Sequence, residues 1–566
     1  MPATEHFDVI VVGSGFGGAV SACRLAEAGM RVCVLERGKA IAPGEFPRTA
    51  AQLRDGFWDP SEGLHGMFDV WSFKQLAAVV ASGLGGGSLI YANVLLRKDP
   101  EWFVEQRDGA PWRWPVTREE LDPHYDRVEA ILKPQPFPAE YLERSPKVGA
   151  FRDAAERVGL RTFHPPLAIA FSENGGPPRP GRPLPDDGNL HDAPRRTCTL
   201  CGECDLGCND GAKQTMDLTF LSRAARAGAD IRPRHEVRTI APNPGGGYWL
   251  ETVTHPEERE GLPTDTSDPA LCPRTVFTCD RLVLAAGALS TTYLLLRNAQ
   301  HLPGLSPALG TRFNGNGDHL SFVRRAGTET SGRERLLRRL EGSRGPVITT
   351  AARSDDDASQ MAGFYLEDAG YPAHTAWMLQ VAATPRAVWS ARSALARIAW
   401  ERASSRHTEP QLGALLSRLF GDLRTPAGFL PLLGMGREIA HARLSLAADG
   451  RTLTTDWSRA KAGRVFGRIR GASRAIAEDL GGKFSADPVG RRHPPTITVH
   501  ALGGAPMGHT PQEGVVDGYG RVFGHPGLSV ACGAAMPGAV GPNPSLTIAA
   551  FADRHAEQIL REEGRL

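Results

Sequence analysis

The sequence predicts an α/β fold, and three observations carry that prediction. An apolar run at residues 7–12 enters a glycine-rich turn, then a helical stretch (19–28) and a second apolar run (31–35). A further apolar run from Asp280 ends in small residues and is followed by a helical pattern at 290–298. The C-terminal stretch leads into another helix, 549–560. Short apolar runs alternating with longer helical periods are the pattern of strands buried in a parallel sheet with helices on its faces.

Bulk composition agrees with a large globular protein. Of 566 residues, 41% are hydrophobic and 23% charged, enough to bury a sizeable core. Lys and Arg number 65 against 63 Asp and Glu, a net charge of +2, so there is no basic surplus of the kind that binds nucleic acid. The N-terminal residues pass straight into a strand-like run without the pattern of a secretory signal. No stretch approaches the ~20 uncharged residues of a membrane span. Nine cysteines, four of them clustered, fit a reducing compartment, and cytoplasmic residence is the expectation.

The first motif is a nucleotide pocket. Gly13-Ser-Gly15-Phe-Gly-Gly18 follows the first strand and opens the first helix, and Glu36 closes the second strand. This is β–turn–α–β with GxGxxG at the turn and an acid about 20 residues on, a Rossmann-type unit. Gly13 permits the tight turn, Gly15 admits a pyrophosphate to the backbone, and Gly18 lets helix and strand pack closely. The helix N-terminus offers amide donors to that pyrophosphate. Glu36 suits ribose hydroxyls and disfavours a 2′-phosphate, so NADP is not expected. The motif alone does not separate NAD from FAD.

Later segments do. Ser82-Gly-Leu-Gly85-Gly-Gly87-Ser88 runs on to Asn93 as a glycine-dense loop with apolar flanks, where backbone can touch a flat ligand. The run from Asp280 ends at Gly287. The C-terminal part holds His500-Ala-Leu-Gly-Gly, Cys532-Gly533 and Val-Gly-Pro-Asn543-Pro-Ser.

With these residues in view the chain resembles the glucose–methanol–choline (GMC) flavin oxidoreductases, and within them the cholesterol-oxidase-like bacterial branch. The matching segments are GSGFGG with Glu36, GLGGGSLIYAN, AAGALSTTYLL, LGTRFNGNGD around Asn314, HALGGAPMG and VGPNPSLTI, in family order over nearly the whole chain. The resemblance implies FAD as cofactor and hydride transfer from an alcohol carbon to flavin N5. It implies His500 and Asn543 as the catalytic pair before the flavin. Histidine titrates near neutral pH, and a neutral amide orients an alcohol without adding charge. FAD contacts are expected from Gly13, Gly15, Gly18, Glu36, Gly85, Gly87, Ser88, Asn93, Val237, Gly287, Cys532, Gly533 and Asn543. The chain departs from the branch at Cys532, where the family often has Asp, and at Ala505, where sterol enzymes usually carry Cys. The glutamate with which sterol oxidases move a proton for isomerisation has no match in local pattern; Glu367 and His374 lie nearby without it.

Cys198, Cys201, Cys204 and Cys208 follow the spacing C-x2-C-x2-C-x3-C of bacterial ferredoxins, without the following proline. An iron–sulfur cluster, a structural zinc, and a metal-free loop or disulfide pair all fit that spacing.

The FAD-binding domain is expected to be discontinuous, from 1–45, 78–130, 209–320 and 490–566. The α+β substrate domain, with a mostly antiparallel sheet, would take 46–77, 131–208 and 321–489. Residues 172–194 and 242–247 read as loops and 264–273 as a surface excursion in a hairpin. About 385–435 reads as a helical insertion with apolar stripes. An ordinary core-facing insertion is favoured there over a cap on a hydrophobic channel or contact with a membrane surface. A strand is expected at 376–382.

The expected activity is FAD-dependent oxidation of a bulky, hydrophobic, steroid-like alcohol, with oxygen or an electron-acceptor protein as oxidant. A dehydrogenase for a terpenoid, long-chain or sugar alcohol is the alternative, as is, in another class, a non-redox lyase with structural FAD.

Overall fold

The computed structural model describes residues 5–107, 109–173, 175–185, 188–329, 335–357, 362–372, 428–486 and 495–566. Its first sheet has seven strands. Asp230–Arg232, Val32–Leu35, Glu5–Val12 and Arg274–Leu284 lie side by side in that order and are parallel. The long strand Arg274–Leu284 then divides its far edge. Its first half pairs antiparallel with Tyr248–Thr254, which pairs with His235–Pro242; its last three residues pair parallel with Leu528–Val530. The N-terminal strand is covered on both faces, with Val9, Ile10 and Val11 wholly buried, which is why it reads as a continuous apolar run and does not alternate.

Helices Phe16–Glu27, Arg118–Leu132 and Ser545–Glu562 pack on one another beside this sheet. Approach at the first helix is too close for side chains. A Cβ on Gly17 would fall 1.6 Å from the carbonyl oxygen of Ala531, and one on Gly18 would fall 1.9 Å from that of Gly13. Asp553 ties the three helices together, forming an ion pair with Arg24 at 3.0 Å, accepting from Arg127 at 2.7 Å and standing 2.7 Å from His124 Nδ1.

The second sheet has six strands, all paired antiparallel. Their order is Lys483–Ser485, His319–Arg324, Leu430–Gly436, Phe364–Asp368, Ala351–Ser354 and Arg161–Phe163. Helix Val465–Asp479 covers one face; Ile469 sits so near Gly434 that a Cβ there would lie 2.2 Å from it.

The expected helical insertion is corrected at its C-terminal end, where residues 430–436 form a central strand. Its burial is nearly continuous, so the run LPLLGMG carries no period by which helix and strand differ. The rest of that insertion, through residue 427, lies outside the described residues, as do His374 and the expected strand at 376–382. A third sheet, Phe68–Ser72, Leu76–Ala81 and Thr496–Thr498, brings the segment before His500 beside the glycine-dense loop. Among the described residues, no helix is long and apolar enough to cross a membrane.

Candidate active site

A cavity of about 620 Å³ runs from the C-terminal ends of the parallel strands to the second sheet. Crevices at those strand ends are where open α/β sheets bind ligands. The first end of the cavity is backbone. Gly13, Gly15, Gly86, Gly87 and Gly287 line it. Gly13 and Gly287 hold φ of 98° and 80°, in the left-handed region that favours glycine. A Cβ on Gly86 would fall 2.6 Å from the Cα of Gly15, so the two glycine turns meet backbone to backbone. The first helix begins at Gly15 without a side-chain cap, leaving its first amides available to a ligand.

Glu36 and Val237 also line this end. The Glu36 carboxylate is buried and accepts from Ser14 N (3.1 Å), Ser14 Oγ (2.6 Å) and Gly38 N (2.9 Å). Burial pushes its pKa up against the pull of those donors. Gly18, Gly85 and Ser88 stand behind the wall. Gly18 packs helix on strand, and Ser88 donates to Gly85 O (2.7 Å) while accepting from Met216 N (2.9 Å), folding the turn that presents Gly86 and Gly87.

Further along stand Asn93, Cys532 and Gly533. Asn93 is wholly buried at φ 73°, and neither atom of its amide has a protein partner. Burial raises the Cys532 thiol, which meets Thr291 Oγ1 at 3.4 Å. The cavity therefore offers uncapped helix amides, a side-chain-free cradle and an unpartnered buried amide. Those features fit the diphosphate and flat ring of FAD.

His500 and Asn543 line the same cavity. His500 Nδ1 lies 2.7 Å from Asp318 Oδ1. The other oxygen of Asp318 accepts from Val499 N (2.8 Å), Thr498 Oγ1 (2.9 Å) and His500 N (3.2 Å). Asp318 thus holds the ring and the backbone that carries it. The loop of Asp318 also holds the loop of Asn543. Asn316 accepts from Gly541 N (2.9 Å) and donates to Pro542 O (3.1 Å). Glu438 props that loop from behind, accepting from Gly315 N, Gly317 N and the Trp457 indole. Burial lifts its pKa to about 7. Lys98, buried and lowered to about 7 by that burial, donates to the carbonyls of Ala539 and Val540 beyond it.

The far end of the cavity is the second sheet. Leu320 pairs with Leu433 and Phe322 with Pro431, and paired residues share a face. These four, with Phe429 and Tyr371, give an apolar wall. Glu367 pairs with Leu433, so its carboxyl belongs to that same face. Asn543 Nδ2 reaches it through a long hydrogen bond of 3.4 Å. Sequence reasoning did not place this acid. The usable signal was Phe-Tyr-Leu-Glu-Asp, an acid inside a strand-like apolar run, which has to be accounted for once the strand is buried.

Burial raises the Glu367 carboxyl to about 8 from an ordinary 4.5. Between those values the folded chain keeps a proton that the unfolded chain has lost, so this group makes stability fall as pH rises through that window. Glu367→Gln removes the effect. The variant should gain on the order of 1–3 kcal/mol over the parent at pH 8 and little at pH 5, read as a difference in melting temperature. Equal differences at both pH values would show that Glu367 ionises normally.

The four clustered cysteines line a separate small void beside the cavity, and all are free thiols.

Residues 468–552 match the model of the GMC oxidoreductase family, and residues 8–174 match that of FAD dependent oxidoreductase. A cholesterol oxidase of Mycobacterium tuberculosis is 30% identical over 97% of this chain and 90% of its own length. The chain belongs to the GMC oxidoreductase family. This GMC protein is therefore an FAD-dependent oxidoreductase acting on CH–OH groups. A cholesterol oxidase of Acinetobacter baumannii is 28% identical over 97% of this chain and 93% of its own. The crystal structure of pyridoxine 4-oxidase from Mesorbium loti superposes with a TM-score of 0.55 over 98% of this chain and 99% of that one, at 16% identity, and agrees in fold.

Proposed function

We propose that this GMC enzyme oxidises a bulky, hydrophobic, steroid-like alcohol to the carbonyl, with His500 and Asn543 as the reacting pair. The observation that carries the reading is their place in one cavity between a glycine cradle and an apolar sheet face. FAD, held by the first glycine turn, Glu36, Asn93 and the Cys532–Gly533 turn, would supply a two-electron acceptor for the hydride of the carbinol carbon. Asp318 fixes Nδ1 of His500, leaving Nε2 to take the hydroxyl proton. Asn543 orients the alcohol oxygen through its amide. Glu367 enters this reading with its proton on at neutral pH, able to move a proton on bound substrate or product. Phe322, Phe429, Tyr371 and Leu433 would accommodate an apolar substrate body and exclude water.

Anaerobic stopped-flow mixing tests this. Sterols and other polycyclic secondary alcohols should bleach the flavin, with short aliphatic alcohols and sugars much slower. A preference for sugars would overturn the substrate reading, and no bleaching by any alcohol would favour a lyase. Glu36→Ala should weaken FAD binding on the order of 10–100-fold by removing a charged hydrogen-bond acceptor. Equilibrium dialysis reads it, and full retention would remove Glu36 from the ribose site.

One specific observation favours a second reading on the oxidant side. The free cysteine loop beside the cavity suits a dehydrogenase that delivers electrons to an acceptor protein in place of oxygen.

A further inference from the structure

The loop 198–208 folds back so that its four cysteines share the wall of one void. Cys198, Cys201, Cys204 and Cys208 all line a void of about 20 Å³, and none is in a disulfide. The backbone takes the left-handed region three times to achieve this, at Leu200 (φ 63°), Gly202 (73°) and Gly207 (85°). Leu200 carries a side chain there, a conformation that persists only where the surroundings enforce it. Gly345 N enforces it by donating to Leu200 O at 3.0 Å.

Three of the sulfurs already accept from backbone. Leu200 N lies 3.4 Å from Cys198 Sγ, and the amides of Glu203 and Val347 serve Cys201 and Cys204. Amides aimed at sulfur are how a protein steadies the charge of a thiolate-bound cluster. A cation stands by as well. Lys213 is 1% exposed, and its Nζ donates only to carbonyls: Cys204 O (2.9 Å), Leu89 O (3.0 Å) and Tyr91 O (2.9 Å). A buried ammonium with no carboxylate in its hydrogen bonds calls for negative charge nearby. Asp205 and Asp217 supply part of it, and the sulfurs of Cys204 and Cys208 face the same ammonium.

The same lysine joins the loop to the flavin side, since residues 89–91 continue the turn of Gly86 and Gly87. Asp205, next to Cys204, and Val347, which serves Cys204, both line the large cavity. Cys201 faces solvent on the other side. The site has one wall against the cavity and one against bulk water.

The geometry points to an iron–sulfur cluster held by Cys198, Cys201, Cys204 and Cys208, acting as the exit for electrons from the flavin site to a one-electron oxidant outside. Only the source of the electrons rests on the alcohol-oxidation reading above. A lone zinc fits less well. Among the described residues, no three of these sulfurs lie within 4.8 Å of one another, whereas Zn–S bonds of ~2.3 Å set sulfurs about 3.8 Å apart in a tetrahedron. The alcohol gives up two electrons and two protons as it becomes a carbonyl. A cluster held there would supply one-electron transfer, so each turnover would reduce two equivalents of a one-electron oxidant and release two protons.

The test uses the full chain with FAD, purified without oxygen and incubated with ferrous iron and sulfide. Iron and acid-labile sulfide should each reach about four per chain, with an electron paramagnetic resonance signal on dithionite reduction. With alcohol as donor and ferricenium as oxidant, Cys201→Ser should lose most of the iron, the sulfide and the ferricenium-linked turnover. Cys208→Ser, changed at a second ligand, should do the same. Less than one iron per chain, zinc alone, or both variants matching the parent would overturn the cluster. Flavin bleaching by alcohol in the same sample separates the two claims. Bleaching without iron sinks the cluster alone; iron without bleaching sinks the alcohol reading alone.

Discussion

His500→Ala should slow reduction of the flavin by alcohol on the order of 10²–10⁴-fold, the usual worth of a positioned acid–base group. The expectation follows from placement. His500 stands on the cavity wall with one nitrogen committed to Asp318. Among the described residues, the other imidazole lining that cavity is His235, which stands at the Glu36 end and donates from Nδ1 to the Pro233 carbonyl at 2.8 Å. Among the described residues, His500 is the imidazole placed to take a hydroxyl proton released at the Asn543 end. Stopped-flow measurement on FAD-replete variant checks it. Because His500 is only partly buried, its loss should leave folding and FAD content near those of the parent. A variant with parental FAD content and parental reduction rate would refute the role.

Much of the first half of the site was legible because glycine leaves a physical mark. The GxGxxG turn could be read residue by residue, and contacts at Gly13 and Gly18 are those the motif requires. Gly85 and Ser88 are expected as ligand contacts, and in the fold Ser88 bonds to Gly85 O and Met216 N, shaping the turn. A glycine-dense segment announces close approach but not which glycines meet the ligand and which meet the chain. The second sheet was less legible. Its strands come from segments far apart, and Glu367 reaches Asn543 only through pairing across 176 residues. Asp318 closes the segment LGTRFNGNGD, whose local pattern gives it no role. Asn-Gly-Asn-Gly-Asp before a strand signals a tight loop, and nothing local says that its last acid finds a histidine 182 residues on. The cysteine loop was the opposite case: its spacing was plain, while its nearness to the cavity came only from the fold.

The second large effect is expected at Asp318, and substitution by Asn is the informative one. Asp318 receives four donors on two oxygens: the His500 ring on one, and two amides and a hydroxyl on the other. Asparagine keeps the shape but owns a single acceptor oxygen. If that oxygen stays with the amides of Val499 and His500 and with Thr498, the new NH2 faces His500 Nδ1. Nδ1 must then accept, and the ring proton moves to Nε2, the nitrogen that has to be empty to take a proton from the alcohol. If the amide turns over, NH2 meets three donors at 2.8–3.2 Å and the backbone carrying His500 shifts. Either outcome disables the same step, by wrong tautomer or by misplacement, and a fall on the order of 10²–10³-fold in flavin reduction is expected. Asp318 acts through His500, so the two losses should not add. The double variant Asp318→Asn, His500→Ala should be no slower than His500→Ala alone, where independent contributions would multiply. Additive losses, or an Asp318→Asn enzyme with the parental rate, would show that the carboxylate serves the fold of residues 314–318 and not the chemistry at His500.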